Sequence, residues 1–253
     1  MLPQSNEAPP PAAIEVAGLD VRYGSTVALE DVDFTLGAGQ LCGLVGVNGS
    51  GKSTLFKSLM GLVAPTSGSV RLFGLTPARA RKSGRISYVP QSEAVDWTFP
   101  VSVRDVVMMG RYGYMGRSRR PSAADRAAVG EALERVDLGA LSSRQIGELS
   151  GGQRKRAFVA RGIAQDADLM LLDEPFAGVD VGSERLISEQ LELLRSGGRT
   201  ILMSTHDLAG VPRLCTHALL LHRRVLAAGV PHDVLTDANL ALAFGGEPRE
   251  EAR

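Results

Sequence analysis

Short apolar runs bounded by turn residues recur along most of the chain. Val32, Phe34 and Leu36 alternate with polar residues, as in a half-buried antiparallel strand, and residues 14–23 have a similar character. Residues 41–45 form a short apolar run, typical of a strand that is buried on both faces. We predict further strands at residues 69–73, 86–89, 169–172 and 200–203.

Helical patterns alternate with these strands. Residues 54–60 and 154–164 are predicted helices, and leucine and isoleucine recur at helical spacing between residues 186 and 194. Such alternation favours a mainly parallel sheet with helices on both faces. The predicted fold class is therefore α/β, with an antiparallel β subdomain at the N-terminal end of the core.

One long segment interrupts the alternation and indicates an insertion. It has no clear strand and two helical stretches, at residues 103–109 and 123–136. The proline-rich start and the charged end of the chain are predicted to be tails. The predicted organisation is a tail at 1–13, a single domain at 14–246 whose core is 14–92 and 148–246 and whose inserted α-helical subdomain is 93–147, and a tail at 247–253.

Charge and composition narrow the classes of function. The chain has 28 Lys and Arg and 28 Asp and Glu, so its formal net charge is zero, and we expect no nucleic acid partner. Two cysteines far apart in the sequence favour a reducing compartment over a disulfide framework. No run approaches the ~18 apolar residues of a membrane helix, and the first residues lack a signal-peptide pattern. We expect a cytoplasmic location unless a partner holds the chain at a membrane.

A glycine-rich sequence separates the predicted strand at 41–45 from the predicted helix at 54–60. Residues 46–53 read Gly-Val-Asn-Gly-Ser-Gly-Lys-Ser and match the P-loop pattern G-x4-G-K-[ST]. Glycines let backbone N–H groups converge on phosphate oxygens, and the following helix adds the positive end of its dipole. Lys52 is expected to reach the β- and γ-phosphates, and the Ser53 hydroxyl to bind Mg²⁺. The predicted ATP-binding residues here are Gly46, Asn48, Gly49, Ser50, Gly51, Lys52, Ser53 and Thr54.

Two carboxylates follow the predicted strand at 169–172. In a chain that carries a P-loop, an acid pair at the end of a buried strand favours phosphate chemistry over an ordinary turn before Pro175. Asp173 is expected to act on Mg²⁺, directly or through a water molecule. Glu174 is expected to be the general base or to position the attacking water.

P-loops also occur in kinases, GTPases and motors, and a pentapeptide before the acid pair narrows the class. It opens the predicted helix at 154–164, and its residues are Leu149, Ser150, Gly151, Gly152 and Gln153. This motif and its position resemble the signature motif of the ATP-binding-cassette (ABC) family. The resemblance implies that the motif meets the γ-phosphate of ATP held by the P-loop of a second subunit. Without the family, the same residues are an ordinary loop and helix cap.

Four further residues fall in the order of the family's landmarks, although each alone is ordinary. Tyr23 resembles the aromatic residue that stacks on adenine, and Gln91 resembles the glutamine that contacts Mg²⁺ and the attacking water. Asp180 occupies the D-loop position, in Gly-Val-Asp where the family often has Ala-Leu-Asp. His206 resembles the switch histidine that contacts the γ-phosphate. The resemblance covers residues 14–229.

The resemblance implies a P-loop NTPase core of the RecA-like type that binds ATP and Mg²⁺ and hydrolyses ATP. It also implies a head-to-tail homodimer that forms on ATP binding and docks on transmembrane permease subunits at the cytoplasmic face of the cell membrane. An extracytoplasmic substrate-binding protein is an indirect partner. A soluble ABC ATPase without a transport role is the alternative, but the chain shows no long heptad run and no second cassette.

The sequence after Gln91 resembles one subfamily. Asp-Trp-Thr-Phe-Pro at 96–100, followed by Val-Val-Met-Met-Gly-Arg-Tyr-Gly at 106–113, is similar to the ATPases of bacterial manganese, zinc and iron importers. An importer for another cargo, such as a metal chelate, is the alternative. Because aromatic and methionine side chains are frequent here, we expect residues 97–115, including Tyr112 and Met115, to dock on the permease.

Overall fold

The structure is a computed structural model, and it describes residues 12–91, 100–116 and 119–245. Within these ranges the strands are β1 (Ala12–Tyr23), β2 (Thr26–Gly37), β3 (Leu41–Val45), β4 (Ser67–Leu72), β5 (Ile86–Val89), β6 (Leu169–Leu172), β7 (Thr200–Thr205), β8 (His217–His222) and β9 (Arg224–Gly229). The helices are α1 (Lys52–Leu59), α2 (Pro77–Lys82), α3 (Val103–Met108), α4 (Ala123–Arg135), α5 (Gly151–Gln165), α6 (Val181–Ser196), α7 (Val211–Leu214), α8 (Pro231–Val234) and α9 (Asp237–Phe244).

The smaller of two sheets is antiparallel, with the strand order β2-β1-β4. Alternate residues of β1 form its inner face, and Ile14, Leu19 and Val21 are buried there. The register of β1 against β2 is irregular around Gly18. Tyr23, the last residue of β1, is exposed. The antiparallel sheet therefore covers the core with one face and presents Tyr23 at its end.

The larger sheet has the order β5-β6-β7-β3-β8-β9, in which the first five strands are parallel and β9 is antiparallel to β8. β3, β6 and β7 are buried along their whole length, which explains their short apolar sequences. Parallel strands end at the same edge of a sheet, where ligands of open α/β sheets bind. The loops after β3, β5, β6 and β7 meet at this edge, and they begin at Gly46, Pro90, Asp173 and His206.

Between residues 100 and 148, the described residues contain helices and no strand. α3 and α4 begin with the same cap, in which Ser102 and Ser122 accept hydrogen bonds from the N–H groups of Asp105 and Asp125 and the carboxylates accept in return. Hydrogen bonds from Ser122, with an Arg111–Asp125 ion pair of 3.0 Å, lower the pKa of Asp125 to about 2. α3 and α4 both pack against α5.

The segment predicted to dock on the permease is only partly exposed. Trp97 and Phe99 lie outside the described residues. Met115 is 8% exposed and packs in the same hydrophobic cluster as the buried residues of α3, α4 and α5, so its prediction as a docking residue is wrong. Tyr112 and Tyr114 are 45% and 51% exposed.

Candidate active site

The glycine-rich loop after β3 is packed so closely that side chains do not fit at two of its glycines. A Cβ atom at Gly46 would lie 2.3 Å from the carbonyl oxygen of Leu221. At Gly51, which has φ of 103°, it would lie 2.6 Å from Leu29 Cδ2. Gly51 is the N-cap of α1 and contributes no side-chain hydrogen bond. The first N–H groups of α1 are therefore not capped by a side chain, as in loops that bind phosphate.

Two polar side chains of this loop are enclosed. Lys52 is buried, and its Nζ donates hydrogen bonds to the carbonyl oxygens of Gly46 at 2.7 Å and Val47 at 3.1 Å. Burial lowers the pKa of Lys52, and the negative charges of Glu174 and Asp173 oppose that shift. Ser50 is also buried, and its hydroxyl has no hydrogen-bond partner among the described residues. A cation and an unsatisfied hydroxyl in a glycine cradle suit an oxyanion ligand.

A single serine on β7 organises the acid pair after β6. The Ser204 hydroxyl donates to Asp173 Oδ1 at 2.7 Å and accepts a hydrogen bond from the Glu174 N–H at 2.8 Å. The Tyr88 hydroxyl lies 3.5 Å from Asp173 Oδ2. Burial, with the charge of Asp173 as a smaller cause, raises the pKa of Tyr88 to about 12, so this hydroxyl stays protonated at neutral pH. Asp173 is thus held on both carboxylate oxygens.

Glu174 brings together residues from three loops. Its Oε2 atom lies 3.4 Å from Gln91 Nε2 and 3.8 Å from His206 Nδ1. Its backbone has φ of 48°, in the left-handed region, and Lys155 Nζ donates to its carbonyl oxygen at 2.8 Å. The His206 side chain is 72% exposed, whereas that of Glu174 is 16% exposed. A mostly buried carboxylate therefore faces the amide of Gln91 and the exposed imidazole of His206 at the sheet edge.

These loops surround a cavity of about 970 Å³. Most of the residues predicted for one ATP site line it: Tyr23, Asn48, Gly49, Ser50, Gly51, Lys52, Ser53, Thr54, Gln91, Asp173, Glu174 and His206. Gly46, the first residue of the loop, is buried and is not part of the lining. Four residues that sequence reasoning missed also line the cavity: Thr26, Val27, Ala28 and Arg223.

The Leu-Ser-Gly-Gly-Gln motif at residues 149–153 is not part of the described lining of this cavity. Ser150 is the exposed N-cap of α5, with a reciprocal capping box to Gln153. A Cβ atom at Gly152 would lie 2.6 Å from Asp180 Oδ2 and from Ser183 Oγ, so the starts of α5 and α6 touch. Hydrogen bonds from Ser183 lower the pKa of Asp180. As far as the structure describes the chain, the cavity lining includes none of Leu149, Ser150, Gly151, Gly152, Gln153 and Asp180.

Two further observations concern metals and membranes. Within residues 12–91, 100–116 and 119–245, no group of three or more His, Cys, Asp or Glu side chains is placed to hold a metal ion. The same ranges contain no helix with the length and apolar character needed to cross a bilayer.

A glycine cradle between a strand and a helix, with an acid pair on another strand of the same parallel sheet, defines a P-loop nucleotide-binding protein. A profile of the ABC transporter family matches residues 29–177, more than half of the chain. The chain therefore belongs to the ABC transporter family, whose ATPases bind ATP, generally with Mg²⁺.

Two curated relatives and one solved structure illustrate the similarity. The chain is 57% identical over 232 residues to the chelated iron transport system membrane protein YfeB of Yersinia pestis, covering 91% of this chain and 78% of the relative. It is 53% identical over 236 residues to the manganese transport system ATP-binding protein MntA of Synechocystis sp., covering 93% and 91%. A solved structure described as a metal-chelate type ABC transporter in an inward-facing conformation matches with a TM-score of 0.81 and 30% identity, covering 93% and 89%. The predicted fold class is confirmed.

Proposed function

We propose that this chain is the ATP-hydrolysing subunit of an importer for a divalent metal cation, and that two copies work as a head-to-tail dimer. The observation that carries the proposal is the approach of Gln91 and His206 to the carboxylate of Glu174 at the rim of the P-loop cavity. An acceptor carboxylate beside a phosphate cradle is the arrangement that water attack on a terminal phosphate requires.

The residues of the cavity divide between binding and hydrolysis. Lys52 and the loop amides bind the β- and γ-phosphates, and Tyr23 stacks on adenine at the open end. Ser53, Asp173 and Gln91 offer the oxygen donors that Mg²⁺ prefers, and they line the same cavity. When bound, Mg²⁺ neutralises charge on the β- and γ-phosphate oxygens.

Glu174 accepts the proton of the attacking water, while Gln91 and His206 orient that water and the γ-phosphate. Ser204 fixes the backbone N–H of Glu174 and one oxygen of Asp173, so the two acids keep their separate roles. The hydrogen bond from Lys155 to the Glu174 carbonyl supports the left-handed backbone from the other side. Preorganised donors of this kind lower the cost of reaching the transition state.

The predicted site residues that lie outside the cavity support the proposed dimer. Ser150 is exposed at the start of α5, and Asp180 is exposed at the start of α6. Both helix starts carry the positive end of a dipole, and α5 begins with the exposed Gly151, which has no side chain over the backbone. In a two-fold dimer, these residues complete the partner's cavity, and each ATP lies between a P-loop and the other subunit's Leu149–Gln153 motif.

The proposed cargo and membrane partners are inferred from the similarity to metal transport systems. YfeB is named for chelated iron and MntA for manganese, and the sequence after Gln91 resembles importers of manganese, zinc and iron. The matched transporter of the metal-chelate type favours a chelate as the second candidate cargo. We infer docking on transmembrane permease subunits at the cytoplasmic face of the membrane, with an extracytoplasmic binding protein delivering the cargo.

Glu174→Gln is the direct test of the hydrolytic site. Glutamine keeps the size of the side chain but does not accept the proton, so turnover should fall roughly 10²- to 10⁴-fold while ATP binding persists. Phosphate release and ATP binding are measured on the purified chain, and metal uptake on the complete transporter. Glu131→Gln, on the exposed face of α4, is the matched control. Turnover by Glu174→Gln within twofold of that control would remove Glu174 from its role.

A further inference from the structure

The turn between β8 and β9 brings an arginine to the nucleotide cavity that the proposed mechanism does not use. Arg223 lines the cavity together with Tyr23, Lys52 and residues 26–28 of β2. Its backbone has φ of 59°, in the left-handed region that residues other than glycine rarely adopt. Such conformations persist where the surrounding structure imposes them, and they cluster at binding sites.

Two backbone hydrogen bonds impose the position of Arg223. Its N–H donates to the carbonyl oxygen of Ser50 in the P-loop at 2.7 Å, and its carbonyl oxygen accepts from the N–H of Glu30 at 2.9 Å. The turn is therefore attached to the phosphate cradle on one side and to β2 on the other. Arg223 cannot move away from the cavity without breaking one of these bonds.

The neighbouring arginine has a different environment. Arg224 forms an ion pair with Glu30 at 2.9 Å and does not line the cavity. Among the described residues, the guanidinium of Arg223 makes no ion pair or side-chain hydrogen bond. Arg224 is thus paired with Glu30 of β2, whereas the charge of Arg223, which no described residue pairs, lies at the cavity.

The strand order indicates which part of a nucleotide Arg223 faces. β8 is adjacent to β3 on the side opposite β7, whereas Asp173 and His206 follow β6 and β7. Arg223 therefore lies on the side of the P-loop away from the acid pair, where hydrolysis is proposed. Through Glu30 the turn is also attached to β2, which pairs with the strand that ends at Tyr23. This places Arg223 between the phosphate cradle and the proposed adenine site.

We propose that Arg223 binds the α-phosphate of the nucleotide, an inference that rests on the proposed function of this cavity. A guanidinium is permanently charged and forms strong, directional hydrogen bonds with phosphate oxygens. ATP and ADP share the α-phosphate, so Arg223 contributes to the affinity for both nucleotides. It does not contribute to the hydrolytic step, because it lies away from Glu174.

Calorimetric titration of the full chain tests this assignment, with Mg·ADP and with the non-hydrolysable β,γ-imido analogue of ATP. Arg223→Ala should weaken both affinities about tenfold, as expected for loss of one charge-assisted hydrogen bond at an exposed site. Arg224→Ala removes an arginine from the same turn and should bind both nucleotides within twofold of the unmutated chain. Arg223→Gly keeps the N–H that binds Ser50 and suits the left-handed backbone, so it should lose affinity like Arg223→Ala without losing thermal stability.

Each other result contradicts a specific step. Affinities of Arg223→Ala and Arg223→Gly that match Arg224→Ala would overturn the role of Arg223. A loss confined to the triphosphate analogue would overturn its placement at the α-phosphate. Normal affinity in Arg223→Gly alone would show that the alanine variant acts through the backbone of the turn. An unmutated chain that binds neither nucleotide would overturn the proposed function, and the role of Arg223 with it.

Discussion

Ser204 joins the two acids of the site through one hydroxyl group. It lies on β7, next to the strand that ends in Asp173 and Glu174, and it is buried. Its hydroxyl is the hydrogen-bond donor to one acid and the acceptor from the backbone of the other. Because the two acids have different proposed tasks, the position of each relative to the nucleotide depends on this contact.

Ser204→Ala should therefore reduce both stability and hydrolysis. It leaves a buried carboxylate oxygen and a backbone N–H without a partner, which costs about 1–3 kcal/mol of the free energy of unfolding. The Mg²⁺ concentration for half-maximal ATPase activity should also rise, because Asp173 is no longer held in place. Urea denaturation and a Mg²⁺ titration of activity measure the two effects.

Ser87 supplies a matched control on β5. It is as buried as Ser204, but its hydroxyl has no hydrogen-bond partner among the described residues. Because Ser87→Ala removes a buried hydroxyl that has no partner in the described part of the chain, it should not destabilise the chain, and the Mg²⁺ dependence should be unchanged. Equal behaviour of the two variants would show that the Ser204 contacts do not organise the acids.

The site residues most readily predicted from the sequence are those that form a motif of consecutive residues. The P-loop and the acid pair are recognisable from their residue types and their order in the sequence. The structure brings Lys52, Asp173 and Glu174 to one cavity. Ser204 and Arg223 escaped prediction because each is a common residue in an ordinary strand or turn. The pairing of β6 with β7 brings Ser204 to the acid pair, and the contact of the β8–β9 turn with the P-loop brings Arg223 to the cavity.

At the scale of elements, the starts of α5 and α6 form one unit. Gly152 in the first turn of α5 faces Asp180 and Ser183 at the start of α6. Both helices are capped by side chains, Ser150 and Asp180, that we propose to lie at an ATP interface. Close packing of the two helix starts keeps these caps in a fixed relation.

Gly152→Ala should disturb the contact between the two helix starts. The new methyl group would lie 2.6 Å from Asp180 Oδ2 and Ser183 Oγ, so either the hydrogen-bonded Asp180–Ser183 pair rearranges or the two helix starts move apart. Overpacking of this kind costs about 1–3 kcal/mol of the free energy of unfolding, and ATPase activity should fall because Ser150 and Asp180 move. Thermal unfolding and phosphate release measure the two effects.

Gly130→Ala in α4 is the helical control. A Cβ atom at Gly130 meets nothing within 4 Å, and alanine is a better helix former by about 1 kcal/mol. Its stability should rise and its activity should remain. The packing argument at Gly152 fails if Gly152→Ala is as stable and as active as this control.

Strands could be predicted from the sequence where their burial produces a short run of apolar residues. The strands predicted at 41–45, 86–89 and 169–172 are the observed β3, β5 and β6, because these short, mostly apolar runs are followed by Gly46, Pro90 and Asp173. β2 begins six residues earlier than the predicted 32–36, at Thr26, and Asp31 in it has φ of 46°. That irregular residue interrupts the alternation, so the first half of β2 is recognisable only through its pairing with β1.

At the scale of the whole molecule, the two motifs proposed to form one ATP site lie apart within a single chain. The P-loop cavity lies at the sheet edge, and the Leu149–Gln153 motif, where the structure describes the lining, is not part of it. In the proposed head-to-tail dimer, each site would combine one P-loop with the partner's motif.

Mixing two inactive variants tests this arrangement. In a heterodimer of Ser150→Arg with Lys52→Ala, one site has an intact P-loop and an intact motif, and the other site carries both defects. Random mixing gives half heterodimers, so activity should recover to about one quarter of the unmutated level. Each variant alone, at the same total concentration, is the control. Activity of the mixture no higher than either variant alone would contradict independent composite sites.

The proposed contact with the permease, at Tyr112, also concerns the assembly of the whole molecule. Tyr112 is exposed beyond α3, and aromatic side chains are favoured at protein interfaces. Tyr112→Asp should leave the ATPase activity of the isolated chain within twofold, since Tyr112 does not line the cavity, while co-purification with the permease and metal uptake fall. Leu62→Asp, at another exposed apolar residue, is the control. Normal uptake by Tyr112→Asp would place the contact elsewhere.

The hydrogen bond from Lys155 to the carbonyl oxygen of Glu174 has a consequence for the order of events in such a dimer. Lys155 lies on α5 five residues after Ser150, roughly 7.5 Å along the helix axis. In the proposed dimer, ATP of the partner's site would contact the start of α5, and the hydrogen bond from Lys155 would link that contact to the backbone of Glu174. ATP bound at one of the two proposed sites would thereby affect the position of Glu174 in the other site, so hydrolysis at each site would depend on occupancy of both.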